Sequence, residues 1–251
     1  MARYGLIGRS LGHSRSPELF ADLFAREGVS GAHYDLFELE AVEGLPALIA
    51  AHPDLRGLNV TIPYKQTVIP FLHALSTEAS AVGAVNSIRI TGDRWTGHNT
   101  DIEGFRALLA PHLRSLIDQG GEVRPRALVL GSGGSSRAVA YALREHGLRF
   151  RVVSRSRDRG DLTWDQVDRT VIGVCRLIIN TTPLGMWPTV EEVPPLPYAS
   201  LTERHHLIDL VYNPEETLFL RRGREAGAVV ENGLVMLRRQ AEAAWRFWGE
   251  G

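Results

Sequence analysis

Short apolar runs alternate with helix-length amphipathic stretches along almost the whole chain, and that alternation is the strongest constraint on its fold. Tyr4-Gly5-Leu6-Ile7-Gly8 reads as a buried strand closed by glycine, followed by an amphipathic helix over about 18–27. Residues 32–38 form a second predicted strand, 39–51 a helix-like stretch with Leu45, Leu48 and Ile49 as its apolar stripe, and 57–61 a third strand. Strand–helix alternation predicts parallel sheets covered on both faces. Ligands of such sheets collect at the carboxyl ends of the strands. At 251 residues the chain suits one large domain or two smaller ones.

The first half carries its polar groups at those strand ends. In Asn59-Val60-Thr61-Ile62-Pro63-Tyr64-Lys65, Pro63 bars the strand from continuing and suits the first turn of a helix. Lys65 is then expected in that first turn, where the helix dipole disfavours a cation. Taken alone it reads as a solvated surface lysine; its neighbours argue otherwise. In Gly12-His13-Ser14-Arg15-Ser16-Pro17, Ser16 is expected as an N-cap with Pro17 first in the helix, and Ser14 has no such duty. Two hydroxyls at a helix N-terminus make a donor cluster for a small carboxylate or phosphate. Residues 76–84 read as a helix approaching Asn86, which lies in a strand that pairs with 94–97 through Thr91-Gly92-Asp93. Asparagine is a poor strand former, so Asn86 is either bonded to backbone at a hairpin edge or reserved for a ligand. Asp101 opens a long amphipathic helix, where the dipole favours an anion and where a cation could find its partner.

The second half repeats the alternation after a polar, glycine-containing stretch at 114–125, where a domain boundary is expected. Residues 126–130 are a buried strand, Gly131-Ser132-Gly133-Gly134-Ser135-Ser136 a tight turn, and 137–146 a helix. That context lifts a glycine pattern above noise: the glycines let backbone N–H groups approach a pyrophosphate at the helix N-terminus. The next strand ends in Ser154-Arg155-Ser156-Arg157-Asp158-Arg159. An NAD site places an acid near that position for the ribose hydroxyl, whereas a guanidinium matches a 2′-phosphate, so NADP is expected. Further strands end at Asn180, before Thr181-Thr182-Pro183, and at Tyr212, before Asn213-Pro214.

These motifs, in this order from Gly8 to Gln240, resemble the shikimate dehydrogenase family. The resemblance rests on Asn59 to Lys65, Gly83-Ala84-Val85-Asn86-Ser87, Asn99-Thr100-Asp101, the glycine turn, and the segments around Tyr212 and Gly233. It implies an α/β fold of two domains: a substrate domain over 1–118 plus 236–251 and a Rossmann-type NADP-binding domain over 119–235. The C-terminal helix would pack back on the first domain. It implies Lys65 and Asp101 as the catalytic pair. Ser14 and Ser16 would hold the substrate carboxylate, with Asn59, Thr61, Asn86, Tyr212 and Gln240 as further substrate contacts. Cofactor contacts would be Gly131, Ser132, Gly133, Gly134, Ser135, Ser154, Arg155, Ser156, Arg159, Thr181, Leu210, Gly233 and Met236. The implied reaction is NADPH-dependent reduction of 3-dehydroshikimate to shikimate, on the route to chorismate and aromatic amino acids.

Composition narrows the alternatives. Lys+Arg 28 against Asp+Glu 29 leaves no basic field for nucleic acid or an anionic membrane. The single cysteine, Cys175, fits a reducing cytosol and sits in an apolar run. Strand-like sequence already at Tyr4 leaves no room for a signal peptide, and no apolar run has membrane-spanning length. The histidines show no metal-ligand spacing, His205-His206 is expected at the surface, and no metal is expected. The expected partner is a small-molecule substrate, in a monomer or homodimer. Competing readings are a quinate-tolerant or NAD-using relative, a non-catalytic ligand sensor on the same scaffold, and a methylenetetrahydrofolate dehydrogenase-like enzyme. Intact Lys65 and Asp101 argue against the sensor; Ser14, Ser16 and Asn86 argue against the folate enzyme.

Overall fold

A computed structural model describes residues 2–12, 14–120 and 125–249. The chain divides into two compact units, Met1–Glu103 with Arg238–Gly251, and Gly104–Leu237. The expected boundary at 118/119 falls at the end of a continuous helix, and the units divide near that helix's start instead. Residues 121–124, in the stretch where the boundary was expected, lie outside the described residues.

The first unit holds strands β1 (Ala2–Gly8), β2 (Ala32–Glu38), β3 (Leu55–Val60), β4 (Ala74–Leu75), β5 (Ser87–Thr91) and β6 (Arg94–His98). Its helices are α1 (Ser16–Arg26), α2 (Leu45–Ala51) and α3 (Thr77–Val82), and α4 (Asp101–Gly120) begins in it. The strand order is β2-β1-β3-β5-β6-β4. Only part of this sheet is parallel: β5 pairs antiparallel with β6, as the hairpin through Thr91-Gly92-Asp93 predicts, and, contrary to the expected parallel sheet, it also runs antiparallel to β3. The hairpin is set locally: Gly92, at φ +56°, turns the chain in two residues, and a connection that short joins only antiparallel strands. One face of the sheet is covered by Val42, Leu45 and Val68, which pack on Ile7, Leu58 and Ile88. The other face takes Phe20, Leu23 and Phe24 of α1.

The second unit holds β7 (Arg126–Leu130), β8 (Arg149–Ser154), β9 (Leu162–Thr163), β10 (Leu177–Asn180), β11 (His206–Asp209) and β12 (Val229–Glu231). Between them run α5 (Gly134–Glu145), α6 (Arg169–Val174) and α7 (Leu218–Glu225). Every pairing is parallel, in the order β12-β11-β10-β7-β8-β9. Counted from β7, this is the 3-2-1-4-5-6 order of a Rossmann sheet. Its strands are apolar on both faces, as sheets covered on both sides must be: Ala127 and Val129 face one core, Leu128 and Leu130 the other. Cys175 is buried in the latter, and burial pushes its thiol up.

The last helix, α8 (Leu234–Trp248), ends in the first unit. There Ala241, Ala244, Trp245 and Trp248 pack on Tyr4, Phe20 and Phe24, as the C-terminal helix was expected to do. Gly57 is required by this contact, since a Cβ there would lie 2.4 Å from the Trp248 ring. Among the described residues no helix is long and apolar enough to cross a membrane, and no group of three or more His, Cys, Asp or Glu could hold a metal ion.

His205 and His206 are not at the surface. They are 3% and 1% exposed, because they lead into a strand at the interior of the sheet. His206 Nδ1 lies 2.9 Å from Nδ1 of His112 on α4, so one ring donates and the other accepts. Burial first, and then the neighbouring His206, push the His112 imidazole down to about 4 from 6.5. The unfolded chain therefore takes up this proton first as pH falls, and His112 costs stability progressively between pH 6.5 and 4. The loss amounts to on the order of 3 kcal/mol at full protonation. Asp209 titrates with the opposite sign, but it is common to wild type and variant. In urea unfolding at pH 7, 5.5 and 4.5, His112→Gln should lose less stability than wild type with each step down; parallel curves would refute the assignment.

Candidate active site

Tyr64 is buried and donates its hydroxyl to the carbonyl of Leu39, which ties down the segment after β3. That segment is a run of turns ending in a short 3₁₀ helix, Ile69–Phe71, and not the α-helix expected from Pro63. The Ile62–Pro63 bond is cis. Lys65 is thus spared the dipole of a helix start. Its carbonyl accepts from Val85 N–H at 2.7 Å, and its ammonium donates to Asp101 Oδ2 at 2.6 Å. The side chains are 13% and 6% exposed.

Asp101 opens α4 as expected, and its second oxygen is also engaged: Asn86 Nδ2 donates to Oδ1 at 2.8 Å. Asn86 itself lies just before β5 rather than within a strand. Its Nδ2 also donates to Thr100 Oγ1 at 3.0 Å, and its Oδ1 accepts from Thr100 N–H at 2.7 Å. Both amide hydrogens of Asn86 are therefore used inside the protein. Asn99 donates to the carbonyl of Ala84 at 2.9 Å, so each residue of Asn99-Thr100-Asp101 has a fixed partner near Asn86. Thr100, fully buried, also reaches Gln240 of α8 at 3.5 Å and was not singled out from sequence. Its only signal was its place beside Asp101 in Asn99-Thr100-Asp101.

Asn59, at the end of β3, is buried, with Tyr34 hydroxyl donating to its Oδ1 at 2.8 Å and its Nδ2 donating to the carbonyl of Asn86 at 3.2 Å. Thr61 follows at the strand edge, its N–H bonded to Ile7 of β1 at 2.9 Å. Ser14 and Ser16 come off β1, the neighbour of β3, so both groups lie at the carboxyl edge of adjacent parallel strands. Their roles at the helix start differ from expectation. Arg15 is the N-cap residue and Ser16 already lies in the first turn, so Ser16 caps nothing. The hydroxyl of Ser14 accepts from Ser16 N–H at 3.2 Å and pairs with the Ser16 hydroxyl at 3.1 Å.

In the second unit the glycine turn joins β7 to α5, which begins at Gly134, earlier than expected. Gly131 has φ +106°, and a Cβ there would meet Thr181 Oγ1 at 2.8 Å. Thr181 in turn donates to the carbonyl of Leu130 at 2.7 Å. At Gly133 an added Cβ would meet nothing within 4 Å. The N–H groups of Gly134, Ser135 and Ser136 precede the first intrahelical bond, from Arg137 to Gly133, and face outward as a helix N-terminus does. Ser136 hydroxyl donates back to Gly133 at 2.7 Å, fixing the turn.

Ser154 ends β8 buried, its hydroxyl 3.0 Å from that of Ser132 and accepting from Ser156 N–H. Ser156 in turn donates to Asp158. Arg155 and Arg159 are exposed, and among the described residues neither is ion-paired. Two guanidinium groups are therefore presented to solvent just after β8.

Asp209, at the end of β11, was not foreseen. Fully buried, it accepts from Asn180 Nδ2 at 3.0 Å, Val211 N–H at 3.0 Å and Thr217 hydroxyl at 2.6 Å. Burial pushes its carboxyl up to about 7 against those donors. It ties the loop carrying Thr181 to the one carrying Leu210 and Tyr212, which is half-buried. Gly233 packs on this second loop, where a Cβ would lie 2.2 Å from the Leu210 carbonyl oxygen. Met236 is buried in the core beside Leu210.

Residues 6–88 match the family model described as the shikimate dehydrogenase substrate binding domain. A shikimate dehydrogenase (NADP(+)) of Clostridium beijerinckii is 38% identical over 262 residues, covering 100% of this chain and 93% of its own. The crystal structure of shikimate 5-dehydrogenase from Thermus thermophilus in complex with NADP(H) and shikimate matches with a TM-score of 0.81 at 33% identity, over 99% of this chain and 93% of that one. The quinate dehydrogenase of Corynebacterium glutamicum in complex with NAD matches with a TM-score of 0.83 at 29% identity, over 98% and 93%.

The two glycine environments separate stability from binding. Gly233→Ala drives a Cβ into backbone and should cost about 1–3 kcal/mol. Gly133→Ala meets open space and should stay within about 0.5 kcal/mol of wild type. Thermal unfolding of both variants checks the contrast, and equal losses would contradict it.

Proposed function

The chain belongs to the shikimate dehydrogenase family, and on that premise we propose that it catalyses the reversible NADPH-dependent reduction of 3-dehydroshikimate to shikimate in chorismate and aromatic amino acid biosynthesis. The observation that carries the assignment to residues is the Lys65–Asp101 pair, 2.6 Å apart at the carboxyl edge of a parallel strand pair. NADPH, when bound, supplies the hydride. A ketone that receives a hydride becomes an alkoxide and must gain a proton. Lys65 stabilises the developing negative charge with its ammonium and delivers that proton from Nζ. In the reverse direction it takes the proton from the alcohol. Asp101 holds the ammonium in place, while Asn86 and Thr100 fix the plane of the Asp101 carboxylate.

Ser14 and Ser16 offer hydroxyl donors for the substrate carboxylate, Asn59 and Thr61 lie at the same strand edge, and Gln240 of α8 reaches Thr100 beside Asp101. In the second unit, the open side of Gly133 and the outward N–H groups of α5 fit a pyrophosphate. Arg155, with Arg159 beside it, fits the 2′-phosphate. Ser154 and Arg155 stand at the end of β8 where an NAD site would place an acid, which favours NADP over NAD and bears on the quinate and NAD alternative.

Lys65→Ala should lower turnover by roughly 10²–10⁴ while NADPH binding survives. Because the change leaves Asp101 without its counter-charge, circular dichroism must first show a folded protein. Near-normal turnover would remove Lys65 from the mechanism. Arg155→Ala should raise the KM for NADP⁺ by roughly tenfold or more, as a charge-assisted phosphate contact of about 1.5–3 kcal/mol implies, and leave that for NAD⁺ nearly unchanged. Equal losses for both cofactors would show that Arg155 does not read the phosphate. Running these assays with shikimate and quinate in parallel decides the substrate.

A further inference from the structure

The buried amide of Asn59 has two neighbours, and they are not interchangeable. The carbonyl oxygen of Asn86, 3.2 Å away, can only accept, so the atom facing it must be the amide nitrogen. Oδ1 is then turned toward Tyr34, whose hydroxyl donates to it at 2.8 Å. If the amide were flipped, two oxygens would face each other at Asn86.

Tyr34 is held for this duty. It stands on β2, across β1 from β3, on the sheet face shared by Tyr4 and Gly57, with which it is in register. Its ring stacks on Phe20 at 4.1 Å between centroids and 9° between planes. Phe20 is fully buried and stacks in turn on Trp248 of α8. The hydroxyl therefore cannot swing away from Asn59 without breaking an aromatic stack.

We propose that Tyr34 is a positioning residue for the substrate site: it sets the orientation of the Asn59 amide, so that Asn59 presents N–H both to the Asn86 carbonyl and to the substrate. One amide hydrogen goes to Asn86, and the second is left for a ligand acceptor, a carboxylate or hydroxyl oxygen. The same contact seats the Asn86 backbone, whose side chain fixes Asp101. Tyr34 thus reaches the substrate through Asn59 without touching it. The inference rests on the reading of this site as one that binds shikimate.

The test is a double-mutant cycle of Tyr34→Phe and Asn59→Ala, assayed with shikimate and NADP⁺. Tyr34→Phe keeps the ring stack and removes only the hydroxyl. It should raise the shikimate KM about three- to tenfold, as loss of one hydrogen bond does, while the KM for NADP⁺ stays near wild type and the melting temperature falls only by the few degrees that one unsatisfied buried acceptor costs. In the Asn59→Ala background the same change should alter the shikimate KM less than twofold. An unchanged KM in Tyr34→Phe, or an equal effect in both backgrounds, overturns the proposal, since packing alone would act regardless of Asn59. A second measurement is independent of turnover. The side-chain amide protons of Asn59, identified by their loss in Asn59→Ala, should exchange slowly in wild type and faster in Tyr34→Phe; equal exchange also overturns it. Wild type that turns over no shikimate would fail the functional reading instead, and the exchange experiment would still judge the amide lock.

Discussion

A carboxylate taken out of water must have its lone pairs occupied, and the first unit is arranged around satisfying one. Asp101 gives one oxygen to the Lys65 ammonium and the other to Asn86. Asn86 can serve only because Thr100 holds its amide from both sides. Thr100 is adjacent to Asp101 in sequence, so the network closes on itself. Closed networks of this kind are rigid, because loosening one member leaves another buried and unsatisfied. In the proposed reaction this rigidity would serve chemistry, because an ammonium that must meet a developing alkoxide is useful only if it is already placed.

The second unit uses the same position differently. Asp209 also ends a strand and is also buried, but its partners are an amide, a hydroxyl and a backbone N–H, with no cation among them. Burial then prevails and lifts its carboxyl to about 7. Asp209 joins two loops; Asp101 holds a charge in place. What separates a structural strand-end acid from one suited to catalysis is the ammonium beside it, and that ammonium arrives from a turn 36 residues away in sequence.

What was legible in the sequence was what local chemistry determines. The glycine turn before α5, the start of α4 at Asp101 and the strand ends are set by backbone conformation and periodicity, which neighbouring residues suffice to express. Lys65 and Asp101 were legible through resemblance, not through spacing. The misses depend on partners distant in sequence. Pro63 is compatible with a helix start, but buried Tyr64 and its bond to Leu39 hold the chain in turns instead. His205-His206 is polar on paper, yet β11 is interior to its sheet and His112 supplies a ring to pair with. Thr100, Tyr34 and Asp209 have ordinary identities; only their neighbours give them roles. The β5–β6 hairpin was legible in Thr91-Gly92-Asp93, whereas the antiparallel pairing of β5 with β3, its partner across a long connection, was not.

The glycines of the second unit extend this distinction between what a fold requires and what a ligand requires. Gly131 is set by its positive φ and by Thr181, and Gly233 by the Leu210 carbonyl. Both are explained within the protein. Gly133 has φ −86° and open space where its side chain would be. Nor is it there as a helix cap, because serine or aspartate would cap α5 better. A side chain at Gly133 would obstruct nothing in the protein, but it would stand in front of the first N–H groups of α5. Nothing inside the protein therefore requires glycine at this position, and the pyrophosphate of the proposed cofactor, approaching a helix N-terminus, is the chemistry that would use the space.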